Sequence, residues 1–341
     1  MERRQFNSAL MLAGLGSAAR SFPSAPAPKR TLYPPRLKKG DTVGLISPGS
    51  FVPDEGLQKA VARLEDFGLK VKPGANIRAE RGYTAGTDEQ RLSDLHAMFS
   101  DPGVRAVWCV RGGYGCSRLL PAIDYRLIRS NPKILIGYSD ITALLQAIHS
   151  RTGLVGFHGP LGVSEFDAYS AAHLHGVLME GRAPYTIAAA PVEEADPLPA
   201  PYTLVRGTAT GQLAGGNLSL LAAMAGTEYS PDFSGKIAFI EEVGEKPYRI
   251  DRMLTQLRQA CHLDKAAGIA LGVFNDCEPQ EGDRSLSLKE TLADRLGGLG
   301  IPVVYGLTFG HISRNCVLPV GIRSVLDTEQ RTITLLENPV D

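Results

Sequence analysis

The chain has 341 residues, 43% hydrophobic and 21% charged, a composition that suits roughly two soluble domains with substantial cores. Acidic and basic residues balance at 36 each, and there is no basic stripe, interleaved aromatic ladder or zinc-finger spacing, so nothing points to a nucleic-acid partner. The five cysteines lack C-x-x-C spacing, His173 and His175 diverge on a helix, and H-E-x-x-H is absent, so neither a metal nor a cofactor is expected.

The N-terminus differs from the rest. Arg3-Arg4-Gln5-Phe6 precedes a small, apolar run from Ala9 to Leu15, and Ala25-Pro26-Ala27 has the small-x-small form of a signal-peptidase site. The run is too short for a permanent membrane anchor. Residues 1–27 therefore read as a twin-arginine signal, which implies a periplasmic location, and residues 28–36 as a proline-rich leader. Cleavage removes Arg3, Arg4, Arg20 and Glu2, leaving the mature chain mildly acidic.

From Thr42 the pattern alternates between strand and helix. An apolar strand over 42–46 ends at Ser47-Pro48-Gly49-Ser50, and Leu57, Val61 and Leu64 set the period of a helix that stops at Gly68. A strand follows at 69–71. Thr87 and Gln90 form a capping-box pattern before a second helix. The next strand, 104–110, runs into Arg111-Gly112-Gly113-Tyr114-Gly115. Another, from Ile134, ends at Gly137-Tyr138-Ser139-Asp140 before a helix from Ile141. Strands alternating with helices imply a parallel sheet, which binds ligands at the carboxyl ends of its strands. The three loops just named are expected to converge there.

Residues 181–205 change to a proline-rich, acidic composition and read as a linker between a domain at 37–180 and another at 206–341. The second half is expected to hold strands over 206–214, 236–240, 267–274, 303–305, 322–326 and 332–336. Gly215-Gly216-Asn217 reads as a turn, and helices are expected over 218–225, 247–260 and 287–296.

A serine at a strand-to-helix turn has two readings. Ser139 caps the helix, or it is a nucleophile beside N–H groups that can stabilise an oxyanion. A nucleophile needs a base and usually an acid to orient it. Of seven histidines, His96, His149 and His262 lie in or at helices; His311, after a strand in a glycine-flanked turn, is the first choice, with His158 second. Glu241 ends an apolar strand, where a carboxylate is costly unless paired or functional. Its neighbour Glu242 points to the other face.

These motifs occur together in a known order. Arg111-Gly112-Gly113-Tyr114-Gly115, Gly137-Tyr138-Ser139-Asp140, Gly215-Gly216-Asn217-Leu218, Glu241 with Glu245-Lys246-Pro247-Tyr248-Arg249, and Phe309-Gly310-His311 resemble the LD-carboxypeptidases, a serine peptidase family that includes the microcin C immunity peptidases. The likeness spans residues 37–336. It implies an α/β chain of two domains, a parallel-sheet Rossmann-like or flavodoxin-like one carrying Ser139 and a smaller one carrying Glu241 and His311, with the site between them. It also implies a homodimer acting on a muropeptide, and a cytoplasmic location as for many members of the family, an alternative to the periplasm from which the twin-arginine leader departs.

On that resemblance Ser139, Glu241 and His311 are the catalytic residues. The backbone N–H groups of Asp140 and Gly113 form the oxyanion hole, and Tyr114 and Asn217 contact substrate. Arg111 is the first choice for the substrate carboxylate because arginine binds both oxygens, with Arg249 and Arg314 as alternatives. Three other readings remain at this point: a peptidase of peptide-nucleotide antibiotics, an α/β-hydrolase esterase (although Ile141 replaces the last glycine of G-x-S-x-G), and a non-catalytic cell-wall peptide-binding protein.

Overall fold

The expected alternation is realised in two sheets in a computed structural model that describes residues 30–190 and 198–341. The export-signal assignment for residues 1–27 therefore lies outside the described residues. The first half holds β1 (Thr42–Ile46), β2 (Lys70–Pro73), β3 (Val104–Cys109), β4 (Ile134–Gly137) and β5 (Gly156–His158). There follow β6 (Tyr185–Ile187), β7 (Tyr202–Val205), β8 (Thr208–Asn217), β9 (Ile237–Val243), β10 (Gly268–Asn275) and β11 (Val303–Tyr305). The chain closes with β12 (Leu318–Val320), β13 (Arg323–Asp327) and β14 (Thr332–Leu335).

The first sheet has the order β12-β5-β4-β3-β1-β2, parallel throughout except at β12. Its parallel part is the flavodoxin-like order 2-1-3-4-5, and the order reverses between β1 and β3, where ligands bind in such sheets. The loops after β1 and β3 are the Ser47–Ser50 and Arg111–Gly115 motifs. The second sheet, β6-β14-β13-β8-β9-β10-β11-β7, is parallel over β8 to β11 and antiparallel at both flanks.

The capping box at Thr87 and Gln90 forms as expected at the start of the helix Asp88–Ser100. The helix Asp54–Asp66 buries Leu57, Ala60 and Leu64. The helix Thr142–Thr152, directly after Ser139, buries eight of its eleven residues and contacts β5, β8 and β12. A helix buried on nearly every side is one enclosed between layers. It joins the two halves, and one continuous hydrophobic cluster includes Leu45 and Leu144 of the first half with Phe239 and Phe309 of the second.

Three expectations need correction. The stretch read as a linker, 181–205, contains β6 and β7, which pair with β14 and β11. Its prolines and acids obscure two short aromatic and β-branched runs. The turn expected at Gly215-Gly216-Asn217 is instead the end of β8. A Cβ on Gly215 would lie 1.7 Å from the Phe239 carbonyl oxygen, and one on Gly216 would meet Thr142 at 2.5 Å, so glycine here allows close approach of neighbours. The domain division is also less clean than expected, because β12 crosses back to pair antiparallel with β5. Pro319 within β12 disguised it; proline is compatible with its edge position.

Candidate active site

Ser139 follows β4 at a sharp corner and has φ of 65°, the left-handed region that a non-glycine residue rarely adopts. Such strain costs about 1–3 kcal/mol and persists where the surroundings hold it in place. Its side chain makes no helix cap. Instead, Oγ lies 3.0 Å from His311 Nε2, and His311 Nδ1 lies 2.7 Å from Glu241 Oε2. Glu241 is an acceptor only, so Nδ1 carries the ring proton and Nε2 is free to accept one from Ser139.

Each partner has an identifiable support. Glu241, 0% exposed, lies near the carboxyl end of β9, opposite Asn217 of β8. His311 stands on the loop between β11 and β12. The amide of Asn315 closes this loop, with Gly310 N donating to Oδ1 at 3.3 Å and Nδ2 donating to Gly310 O at 3.1 Å. Beyond the loop, β12 locks onto β5 with Leu318 opposite His158. The crossing strand thus carries His311 over to Ser139, and Tyr138 packs against the imidazole edge to face at 4.9 Å.

Burial by itself pushes the His311 pKa down. The Glu241 hydrogen bond and charge, with the Glu242 charge behind them, more than offset this and hold it above the ordinary histidine value. Glu242 is buried on the opposite face and accepts from Asn217 Nδ2, Ser219 N, Ser219 Oγ and Val243 N, all within 3.0 Å. Sequence reasoning gave it only a direction. A second carboxylate at the end of an apolar strand was the available signal.

His158, the second choice for the base, is wholly buried among Tyr138, Phe239 and Phe309, and burial holds its pKa down to about 4. It is a neutral aromatic wall behind His311, which alone of the two bonds to Ser139. The expected convergence of loops is present: Ser50 N donates to Gly112 O at 2.9 Å, and Asp140 Oδ2 accepts from Cys116 N at 2.8 Å. Burial raises the Asp140 pKa. A Cβ on Gly112 would lie 2.9 Å from Ser139 Cβ and 3.2 Å from Asp140 N, so Gly112 faces the serine directly.

The same two halves match two family models, the LD-carboxypeptidase N-terminal domain over residues 43–159 and the LD-carboxypeptidase C-terminal domain over residues 210–326. A probable murein peptide carboxypeptidase of Bacillus subtilis is 43% identical over 307 residues, covering 89% of this chain and 93% of the relative. The chain belongs to the LD-carboxypeptidase family. Its structure is similar to that of a muramoyltetrapeptide carboxypeptidase from Oxalobacter formigenes, with a TM-score of 0.74 and 33% identity over 86% of this chain and 97% of the other. It is also similar to MccF in complex with glutamyl sulfamoyl guanosine, with a TM-score of 0.81 and 26% identity over 91% of this chain and 100% of the other.

The remaining expected site residues of this LD-carboxypeptidase family member are scattered. Arg111 is exposed beside Gly112 and donates to Phe51 O at 3.2 Å. Tyr114 is exposed and meets Tyr83 edge to face at 5.0 Å. Arg249 is exposed on the second half, bonded to Glu245 and to the Tyr248 hydroxyl at 3.3 Å each. Arg314 is buried within the His311 loop. Asn217 is buried, its amide nitrogen on Glu242 and its oxygen accepting from Leu220 N, so a ligand contact would compete with those bonds. A cavity of about 630 Å³ opens at the start of the helix Pro247–Ala260, between Lys246, Tyr248, Arg284 and Leu286; none of Ser139, Glu241 and His311 lines it. Among the described residues no cluster of three or more His, Cys, Asp or Glu side chains is arranged for a metal ion, and all five cysteines are buried and unpaired with one another.

Proposed function

We propose that this chain is a serine carboxypeptidase that removes the terminal D-Ala from muropeptide tetrapeptides, at the bond from the L-centre of diaminopimelate. The observation that carries the reading is the hydrogen-bonded line from Ser139 through His311 to Glu241, assembled across the two halves. Ser139 Oγ attacks the amide carbonyl carbon while His311 Nε2 takes its proton, and Glu241 stabilises the resulting imidazolium. The oxyanion is held by the N–H groups of Asp140 and Gly113. His311 then protonates the departing D-Ala amine, and water attacks the acyl-enzyme to regenerate Ser139. Arg111, exposed beside the oxyanion loop, is the cation we assign to the substrate carboxylate.

The direct test is incubation with L-Ala-γ-D-Glu-meso-diaminopimelate-D-Ala, following D-Ala release by mass spectrometry. Wild-type protein should release it. The likeness to MccF favours one rival substrate, a peptide-nucleotide conjugate. Cleavage of such a conjugate without D-Ala release would transfer the assignment to it.

The protonation state of His311 sets the pH dependence. A raised pKa means that the protonated, inactive ring persists to higher pH than in a free histidine. The acidic limb of kcat/KM is therefore expected to have its midpoint above 6.5. A midpoint at or below that value would count against the Glu241 contact. The sign for stability is opposite: the contribution of His311 is fully present below its unfolded pKa and lost as pH rises through its folded one.

The proposal includes export, supported by the Arg3-Arg4 pattern, and a homodimer, supported only by the likeness to the family. No helix among the described residues is long and apolar enough to cross a membrane. N-terminal sequencing of the protein from its native host should begin just after Ala27, and sedimentation should give twice the chain mass. Retention of Met1 would remove export from the reading.

A further inference from the structure

The loop after β3 supplies an oxyanion donor only if its peptide planes face the correct way, and glycines do not hold their own planes. Gly112-Gly113 has two glycines in succession, the second at φ of 92°. What orients them is Ser50, at the end of the loop after β1. Its backbone N–H donates to Gly112 O at 2.9 Å, its hydroxyl accepts from Tyr114 N at 3.1 Å, and the same hydroxyl donates to Tyr83 O at 2.6 Å. The hydroxyl is thus used in both directions, and Ser50 is only 8% exposed.

In a trans peptide the C=O and the following N–H point in opposite directions. Because Gly112 O points at Ser50 N, Gly113 N–H points away from Ser50. Because Tyr114 N–H points at Ser50 Oγ, the next plane is held in the opposite sense. A Cβ on Gly113 would lie 2.2 Å from Ser50 Oγ, so serine and glycine are in close apposition. On the other side of the loop, Gly112 packs on Ser139 and on Asp140 N.

We propose that Ser50 is the positioning residue of the oxyanion loop, fixing the planes of Gly112-Gly113-Tyr114 so that Gly113 N–H is directed at the substrate oxygen beside Ser139. This rests on the serine-peptidase reading above. Ser50 touches neither substrate nor the reacting atoms; it acts through the Gly113 peptide. Ser50→Ala keeps the backbone anchor on Gly112 O and removes the hydroxyl that holds Tyr114 N–H. The Gly113–Tyr114 plane is then free to rotate about Gly113, which has no side chain to resist it, and Gly113 N–H loses its fixed aim. Misplacement of a donor on that scale costs about 10- to 100-fold in rate.

The full chain is tested as Ser50→Ala and Ser50→Thr beside wild type and Ser139→Ala, in two assays. In tetrapeptide hydrolysis, Ser50→Ala is expected to lower kcat by about 10- to 100-fold with KM within about twofold, and Ser50→Thr, which keeps the hydroxyl, to recover at least about half of the wild-type rate. In the second assay a small fluorophosphonate labels Ser139 with loss of fluoride, read by intact mass. Its phosphoryl oxygen occupies the oxyanion position, so Ser50→Ala should slow labelling by a similar factor. A Ser50→Ala protein that labels and turns over within about twofold of wild type overturns the proposal, as does a rise in KM at unchanged kcat. If Ser50→Ala fails to fold, an inactive but folded Ser50→Thr also overturns it, and a folded, active one supports it. Labelling of wild type at Ser139 without D-Ala release would sink only the substrate assignment, whereas labelling that survives Ser139→Ala would sink the serine-peptidase reading itself.

Discussion

Ser139→Ala is expected to lower kcat for D-Ala release by about 10^4- to 10^6-fold, with tetrapeptide binding and the folded state retained. The loss is large because the variant removes the atom that forms the acyl bond. His311 and Glu241 then have no proton to relay, and only the oxyanion donors and binding remain to accelerate attack by water. Stability should change little or rise. The variant loses one hydrogen bond, the 3.0 Å contact to His311, and keeps the strained φ of 65° on a smaller side chain. The measurement is single-turnover D-Ala release with a thermal melt in parallel. A Ser139→Ala protein within about tenfold of wild type would refute the nucleophile assignment.

The second large effect is expected at Glu241, which touches no substrate in the proposed scheme. Glu241→Gln preserves shape in a site that is 0% exposed but replaces an acceptor with an amide that can donate. If the amide donates to Nδ1, the ring proton moves to Nε2, and Nε2 can no longer take the Ser139 proton. The expected cost is about 10^4-fold in kcat, of which the wrong tautomer is the main part. The variant also removes the first of the influences that raise the His311 pKa, so the acidic limb of kcat/KM should shift to lower pH. Both readouts come from one pH series. A normal kcat, or a limb that does not move, would mean that the 2.7 Å contact is an ordinary ion pair and not an orienting one.

Much of the first sheet was legible because its signals are local. The apolar runs of β1, β3 and β4, the stops at glycine and the capping box at Thr87 all act within a few residues, so the sequence shows them directly. The loop motifs after those strands were legible for the same reason. Parallel order then places them at one sheet edge. Where composition was the guide, in residues 181–205, the reading failed. The strands β6 and β7 are edge elements whose partners, β14 and β11, lie more than 90 residues further on.

The sequence by itself determined which residue types were available for catalysis and on which strand ends they stand: Ser139 after β4, Glu241 on β9, His311 after β11. The stretch around Ser139 taken alone allows both a cap and a nucleophile, because both use a serine at a helix start, and only the order of the distant motifs favours the nucleophile. In the folded chain the Ser139 side chain makes no cap bond. Ser139 sits in the left-handed region with Oγ on His311, and His311, 172 positions along the chain, reaches it because β12 returns to the first sheet and pairs with β5. Ser50 belongs to the same class. Its hydroxyl joins Tyr83 to Tyr114, and hydrogen bonds spanning 33 and 64 positions leave no local pattern to read. Long-range register fixes such contacts, since a strand displaced by one residue turns every side chain to the other face.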